Sequence, residues 1–315
     1  MVTPPPPAPA DGPTHDWMLR WTTLETQLAA LLAAPLRHPD CLPRLQRLLA
    51  DAQALLEQDE DASLYWLFQL AASTPVGYST SHALACWAMC RLLAPAVGLA
   101  GEEAAALERA ALTMNIGMTR LQDTLAAQRE PPTQEQRALI DTHAARGAQW
   151  LRECGVRDAR WLEIVEQHHE SDSHDVAVRL LQRMDRYTAL ISPRETRPGR
   201  NVTDSARTLL VRPGGQLDDI GRALLHTLGI CPPGTFVRLA DGRIAVVLRR
   251  SGRPGEPWVS PVLDAEGHPV LEPILVDTGD DDTAIEAALQ TATVRVRLDH
   301  ARLLQLSRQV PVRAR

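Results

Sequence analysis

The chain of 315 residues is 44% hydrophobic and 23% charged, which is ordinary for a globular protein of one or two compact units. Its formal net charge of −6 produces no general field that would attract a phosphate backbone, so nucleic acid is excluded as the expected main partner. The chain contains no run of about 18 apolar residues, and this excludes an ordinary membrane span.

The cysteines and the first residues indicate a reducing compartment. The chain has five cysteines, an odd number, and no C-x-x-C pair that would suggest a zinc knuckle. Cys86 and Cys90 lie one helical turn apart, which suits a buried helix face better than a disulfide. The start, MVTPPPPAPADGPTHD, has neither the basic nor the apolar part of a secretory signal. We therefore expect a cytoplasmic protein.

The first half of the chain is predicted to be helical. Residues 1–14 are Pro-rich and predict a disordered tail, and residues 15–72 predict an N-terminal helical region that serves for packing or dimerisation. Residues 73–205 predict a core of helices, with five or six between residues 78 and 191, as in a helical bundle. Within this core, Thr133 and Gln136 predict a capping box at a helix start.

The C-terminal part changes in character. Residues 206–275 predict one amphipathic helix, over residues 217–228, followed by a β-hairpin around Asp241-Gly242; Trp258–Leu263 and residues 269–275 could add strands. Residues 276–315 predict a helical tail that opens at Asp280. The fold class is therefore predicted to be mainly α: a helical bundle with an N-terminal helical region and a small C-terminal β-hairpin subdomain.

Several polar side chains fall on apolar faces of the predicted helices. They are His82, His143, His168, His169 and Asp185. Buried polar atoms need partners, so five of them together favour one shared pocket in which a metal ion, or a water network, supplies those partners. The alternative is a set of unrelated core histidines.

Six segments appear in the order and spacing of a known family. They are Ser81-His82, Glu135…His143 followed by Gly147-Ala148, His168-His169-Glu170, Asp185-Arg-Tyr-Thr-Ala189-Leu190, Arg194…Arg197-Pro198, and Leu228…Gly234…Gly242. Over about residues 73–250 the chain resembles the HD-GYP family, bacterial phosphodiesterases of the HD superfamily that hydrolyse cyclic di-GMP. The resemblance implies an HD-domain helical core between residues 73 and 205.

The chain departs from that family at its signature. Met114, Asn115 and Met118 stand where the family has the histidine, aspartate and lysine of H-D-I-G-K, while the Ile-Gly pair between them is kept. The G-Y-P loop is also missing. Because the lost aspartate would bridge two metal ions, and because the chain has no lysine, the resemblance implies a degenerate member with impaired catalysis.

The resemblance also implies a set of roles. His82, His143, His168, His169 and Asp185 are the implied metal ligands, and one divalent transition metal (Fe, Mn or Zn) could still bind to His143, His168 and His169. Arg194 and Arg197 are the implied contacts to cyclic di-GMP or another phosphate ligand, unless they only pair with carboxylates. We expect a signalling protein that acts by binding a ligand or a protein partner. The alternatives are a single-metal phosphohydrolase with an altered substrate, and a purely structural partner-binding helical module.

Overall fold

The computed structural model describes residues 12–73, 77–170, 173–196, 198–210, 216–253 and 255–310, and within them the protein is mainly α-helical. The α-helices are α1 (Pro13–Ala33), α2 (Cys41–Gln58), α3 (Glu60–Ser73), α4 (Tyr78–Leu93), α5 (Gly101–Thr113), α6 (Thr119–Ala127), α7 (Gln134–Asp141), α8 (His143–Glu153), α9 (Ala159–Gln167), α10 (Val176–Ile191), α11 (Val202–Leu210), α12 (Asp219–Leu228) and α13 (His300–Ser307). The strands are β1 (Phe236–Leu239), β2 (Ile244–Arg249), β3 (Trp258–Leu263), β4 (Val276–Asp277) and β5 (Ile285–Ala288).

Helix α4 lies at the centre of the helical part. It packs against α3, α5, α10 and α6, and almost all of its side chains are buried. A helix that is enclosed on every side needs small or apolar residues all round, which agrees with its alanines and cysteines. His82 lies on this helix, so its burial follows from the packing of the whole bundle.

One local prediction is confirmed, and two predicted boundaries or numbers need correction. Thr133 accepts from the backbone N–H of Gln136, whose side chain accepts from Thr133 in return, so the capping box is present. The number of helices in residues 78–191 was predicted too low, since α4 to α10 lie within the described part of that range. One reason is that a break at Thr142 separates α7 from α8. The predicted disordered tail extended too far as well, because α1 begins at Pro13; residues 1–11 lie outside the described residues.

The prediction of only a small C-terminal β-hairpin was wrong in extent. The described strands form one antiparallel sheet in the order β4-β3-β2-β1-β5. The β1–β2 hairpin turns at Asp241-Gly242 as predicted, and Gly242 has a positive φ of 86° that a turn of this kind requires. β3 occupies the predicted range Trp258–Leu263, but residues 269–275 contain no strand, and β4 follows them instead.

The helical tail of residues 276–315 contains the helix α13, but the prediction that it opens as a helix at Asp280 is wrong. Residues Asp281–Thr283 form a single 3₁₀ turn, and the chain then continues into β5, which pairs with the outer edge of β1. The backbone N–H of Leu289 donates to the carbonyl of Phe236 over 2.8 Å. The edge of β1 offers backbone hydrogen bonds to residues 285–288. These bonds stabilise a strand there more than the preceding aspartates favour the start of a helix.

The sheet and the last helix attach to the N-terminal helices. Arg249 of β2 pairs with Asp59 at 2.8 Å, and the next residue, Arg250, pairs with Glu60 at 2.6 Å. Helix α13 contacts α1, and the Nη1 of Arg308 donates to the Oγ1 of Thr14 over 3.0 Å. None of the helices in the described residues is long and apolar enough to cross a membrane.

Candidate functional site

Three of the predicted site histidines lie in direct contact. The Nε2 atoms of His143 and His168 are 3.2 Å apart, and the ring of His169 lies 4.1 Å from that of His168 and 4.9 Å from that of His143, centroid to centroid. One ring nitrogen from each residue lies within 4.8 Å of the other two. His143 and His168 are buried, whereas His169 is exposed. The group therefore has one side open to solvent.

Helix ends position these rings. His143 is the first residue of α8, and His168 and His169 follow directly after the last residue of α9. The sequence placed His168 and His169 within a helix, whereas α9 ends one residue earlier, at Gln167. His168 still has α-helical backbone angles (φ −63°, ψ −3°), so its ring continues the direction of the helix face. Since α8 and α9 pack side by side, the three rings meet.

The backbone fixes the protonated nitrogen of the two buried rings. The Nδ1 of His143 donates to the carbonyl of Ile140, and the Nδ1 of His168 donates to the carbonyl of Val165 over 2.7 Å. A carbonyl only accepts, so each Nδ1 carries the proton and each Nε2 of a neutral ring presents a lone pair. Burial lowers the pKa of His143 and lowers the pKa of His168 to about 3, so both rings are neutral near pH 7.

This arrangement fits a metal ion. Two lone pairs 3.2 Å apart repel each other unless a cation lies between them. Imidazole nitrogens bound to one ion at about 2.1 Å are about 3.0–3.4 Å apart for bond angles between 90° and tetrahedral, so the observed separation suits two ligands of one ion. A carbonyl on the opposite ring nitrogen is the usual partner of a metal-binding histidine.

The other predicted ligands form a second, adjacent group. The Nε2 of His82 and the Oδ1 of Asp185 are 2.8 Å apart, which brings α4 and α10 together. Burial, which would lower the pKa of His82, is outweighed by Cys86 and Asp185, which raise it to about 10. Burial alone would raise the pKa of Asp185, but the hydrogen bond and charge of His82, with His168 and His169 nearby, lower it. The negative charge of Asp185 therefore interacts electrostatically with His168 and His169 of the three-histidine group.

Met114, Asn115 and Met118, which the sequence aligned with the H-D-I-G-K positions, follow directly after the end of α5. Met114 is fully buried in the hydrophobic core, Met118 is half-buried and Asn115 is 8% exposed. The Oδ1 of Asn115 is buried and has no hydrogen-bond partner among the described residues. Asn115 therefore presents a neutral amide with an unused acceptor.

The retained Ile-Gly pair has a packing role. Gly117 lies in a 3₁₀ turn, Ile116–Met118, that presses on α8, and a Cβ at Gly117 would lie 2.3 Å from the carbonyl oxygen of His143 and 2.8 Å from the nitrogen of Gly147. The Nε of Arg146 donates to the carbonyl of Gly117 over 2.8 Å. This close approach leaves no room for a side chain at position 117.

Arg194 lies beside the second group. Its Nη2 donates to the Tyr78 hydroxyl over 3.1 Å, its guanidinium lies 5.3 Å from the centre of the Tyr78 ring, and Tyr78 is stacked on His82. The Nε of Arg194 is buried and has no hydrogen-bond partner among the described residues. The Arg194 guanidinium is a cation with a free N–H donor, so it can bind an anion here. Arg197, the other predicted phosphate contact, lies outside the described residues.

Sequence reasoning did not assign site roles to Tyr78 and Cys86. With His82 they form a stripe on α4 at intervals of four residues, and that spacing was the available signal. The link between α9 and α10 covers residues 168–175, of which residues 171 and 172 lie outside the described part.

No family model matches the chain. Among characterised proteins, a cyclic di-GMP phosphodiesterase of Pseudomonas aeruginosa is 27% identical over 233 residues, which cover 70% of this chain and 50% of that protein. The chain therefore spans about half the length of this relative. The similarity is consistent with the HD-GYP resemblance of the sequence.

Proposed function

We propose that the protein is a degenerate HD-GYP protein of cyclic di-GMP-type signalling, which binds a divalent transition metal and a phosphate ligand but hydrolyses that ligand slowly or not at all. The observation that supports it most is the pair of Nε2 lone pairs of His143 and His168, 3.2 Å apart and held there by backbone carbonyls. The similarity to a cyclic di-GMP phosphodiesterase supports the ligand class.

In this proposal His143, His168 and His169 hold the metal. A bound ion of this kind supplies a Lewis acid for a phosphate oxygen or lowers the pKa of a bound water. The carbonyls of Ile140 and Val165 orient two of the rings, and the exposed third ring leaves an open side from which a ligand can approach.

Arg194 is proposed to bind a phosphate of the ligand. Its contact with Tyr78 holds the guanidinium beside His82, and its buried Nε is free to donate. A guanidinium can donate two parallel hydrogen bonds to a phosphate, which a point charge cannot do. Arg197 is proposed to assist it, as the sequence suggests.

Slow hydrolysis follows from Asn115 and Met118. A neutral amide cannot offset the repulsion between two metal ions as a bridging carboxylate does, and a thioether cannot stabilise charge that develops on a phosphate. Loss of one such group commonly costs about 10²–10³-fold in rate. The protein would then act by binding, and we expect a protein partner to respond to its ligand state.

The test combines metal analysis with ligand binding. Protein purified without chelators should contain a transition metal that is lost in His168→Ala and kept in His268→Ala, a control histidine exposed in the sheet region. Calorimetry should show binding of cyclic di-GMP, with turnover far below the roughly 10 s⁻¹ of a typical enzyme.

Two results would contradict the proposal. Turnover near that typical value would mean that the site is catalytically intact. Equal metal content in both histidine variants, with no cyclic di-GMP binding, would favour the structural helical module; metal and hydrolysis of a different phosphate ester would favour the altered-substrate phosphohydrolase.

A further inference from the structure

A thiol lies beside the His82–Asp185 pair. The Sγ of Cys86 is 3.6 Å from the Nε2 of His82, and that nitrogen is 2.8 Å from the Oδ1 of Asp185. One donor atom from each of the three residues lies within 4.8 Å of the other two. Imidazole, thiolate and carboxylate are the donor types that proteins use to hold zinc, and three of them with one water make a workable site.

The surroundings favour an added ligand. His82 and Cys86 are fully buried on α4, while the Asp185 side chain on α10 keeps 15% of its surface exposed. The second ring nitrogen of His82, Nδ1, is buried and has no hydrogen-bond partner among the described residues. The Nε2 of His82 is the ring nitrogen that faces both Cys86 and Asp185, so an ion held by the three residues would bind there and not at Nδ1.

Cys86 also has an ordinary packing role. Its thiol lies 3.3 Å from the Oγ1 of Thr188 and 3.6 Å from the carbonyl of Met184, both of which can accept its proton. A thiol that served only as a donor to α10 would not need a carboxylate and an imidazole on its other side. The three residues converge from two helices, and this convergence distinguishes a built site from a buried cysteine.

We propose that His82, Cys86 and Asp185 form a second metal site, separate from the three-histidine site, in which the Cys86 thiolate selects a borderline or soft ion such as Zn²⁺. On binding, the Cys86 thiol and the His82 imidazolium each release one proton to solvent and form a bond to the ion, while the Asp185 carboxylate binds through an oxygen. No electron is transferred. The site does not depend on cyclic di-GMP or on the occupancy of the other group.

The ions of the two proposed sites are not expected to share a bridging ligand. In a bridged pair a carboxylate binds both ions, and here Asn115 is a neutral amide. A thiolate also changes which ion is preferred, since hard ions such as Mn²⁺ favour oxygen ligands while zinc and cobalt accept sulfur. The chain has thus exchanged an acidic centre for a thiolate-containing one.

Cobalt(II) titration of the purified protein tests this assignment. Cobalt bound to a thiolate shows a strong sulfur-to-cobalt charge-transfer band in the near ultraviolet, which nitrogen and oxygen ligands do not give. The band should be present in the wild type and absent from Cys86→Ser, whose zinc affinity should fall at least about tenfold. The matched control is Cys90→Ser, which removes a fully buried thiol one turn further along α4 and should keep the band.

Several results would overturn the assignment. They are cobalt binding without the band in the wild type, a band that persists in Cys86→Ser, and a band that Cys90→Ser also abolishes. X-ray absorption of the zinc-loaded wild type needs no variant, and the absence of a sulfur neighbour at about 2.3 Å would be equally decisive against it.

The same measurements distinguish a failure of the three-histidine site, on which the proposed function depends, from a failure of the thiolate site. If His168→Ala binds as much metal as the wild type while the band still depends on Cys86, the three-histidine site is wrong and the thiolate site stands. If His168→Ala loses an ion and neither the wild type nor any variant shows the band, the thiolate site is wrong and the three-histidine site stands.

Discussion

Replacing Gly117 with alanine tests whether the 3₁₀ turn at Ile116–Met118 positions the three-histidine group. The added Cβ would lie 2.3 Å from the carbonyl oxygen of His143 and 2.8 Å from the backbone nitrogen of Gly147. Both are backbone atoms of α8, so no side-chain rotation can relieve the contact. The helix or the turn must move.

The size of the effect follows from that distance. A carbon atom and a carbonyl oxygen approach to about 3.3 Å at closest, so α8 must withdraw from the turn by about 1 Å. Overpacking of this kind typically costs about 1–3 kcal/mol of the free energy of unfolding. Since the residue pushed is His143 itself, its ring would move away from the proposed metal position, and zinc affinity should fall by about 10–100-fold, as when a group that orients a metal ligand is removed.

Two other glycines provide controls. A Cβ at Gly147 would meet the Cγ2 of Ile116 at 3.3 Å, a methyl group that can shift, and alanine favours the helix, so Gly147→Ala should stay within about 1 kcal/mol of the wild type. A Cβ at Gly252 would meet no atom within 4 Å, so Gly252→Ala should change neither quantity. Urea unfolding measures the free energy of unfolding, and competition for zinc with a chelator measures the zinc affinity. If Gly117→Ala behaves like Gly252→Ala, the turn does not position His143.

Three further predictions concern charge and ligands. In metal-free protein, the pKa of Asp185 is lowered and that of His82 is raised to about 10, so the ion pair stabilises the fold fully between about pH 4 and 6.5. This stabilisation is lost in acid as Asp185 is protonated, and it is lost in base as pH rises from about 6.5 towards 10 and His82 loses its proton. Asp185→Asn should cost about 3–5 kcal/mol in urea unfolding at pH 6 and weaken the alkaline decline, of which a part remains because Cys86 also raises the pKa of His82; an unchanged decline would show that Asp185 does not contribute to it. Arg194→Lys should weaken cyclic di-GMP binding about tenfold in calorimetry without changing metal content, because lysine has no paired donors; equal affinity would exclude Arg194 as a phosphate contact. Met114→His with Asn115→Asp should raise the metal retained after dialysis and keep the melting temperature, whereas no added metal with a lower melting temperature would mean that the buried Met114 serves only to pack the core.

Patterns local in sequence predicted the structure well. The capping box at Thr133 depends on two residues three positions apart, and the β1–β2 hairpin depends on Asp241-Gly242 and the β-branched runs on either side. Each of these involves hydrogen bonds within a few residues, so the surrounding fold had little influence on them. The helix that ends at Gly229 belongs to the same class, because Gly229 has a positive φ of 80° at the helix end.

Pairings between distant segments could not be predicted in this way. β5 is a strand only because the edge of β1, about 50 residues earlier, offers it hydrogen bonds, and its own residues Ile285–Ala288 are weak strand formers. The contact of Arg194 with Tyr78 joins positions 116 residues apart. His82 and Asp185 were predicted to share a pocket, and the helical face that places Cys86 beside His82 was visible, but Cys86 was not assigned to that pocket.

The contact between Arg308 and Thr14 has a consequence for the order of folding during synthesis. It joins positions 294 residues apart, and the entropic cost of closing such a loop is met only when nearly the whole chain is available. Helix α1 is synthesised long before α13, and the surface that α1 shares with α13 stays open until Leu303 and Leu304 have been added. Until then the nascent chain exposes an apolar face, and a product that stops before His300 keeps it exposed, which makes truncated chains prone to aggregation.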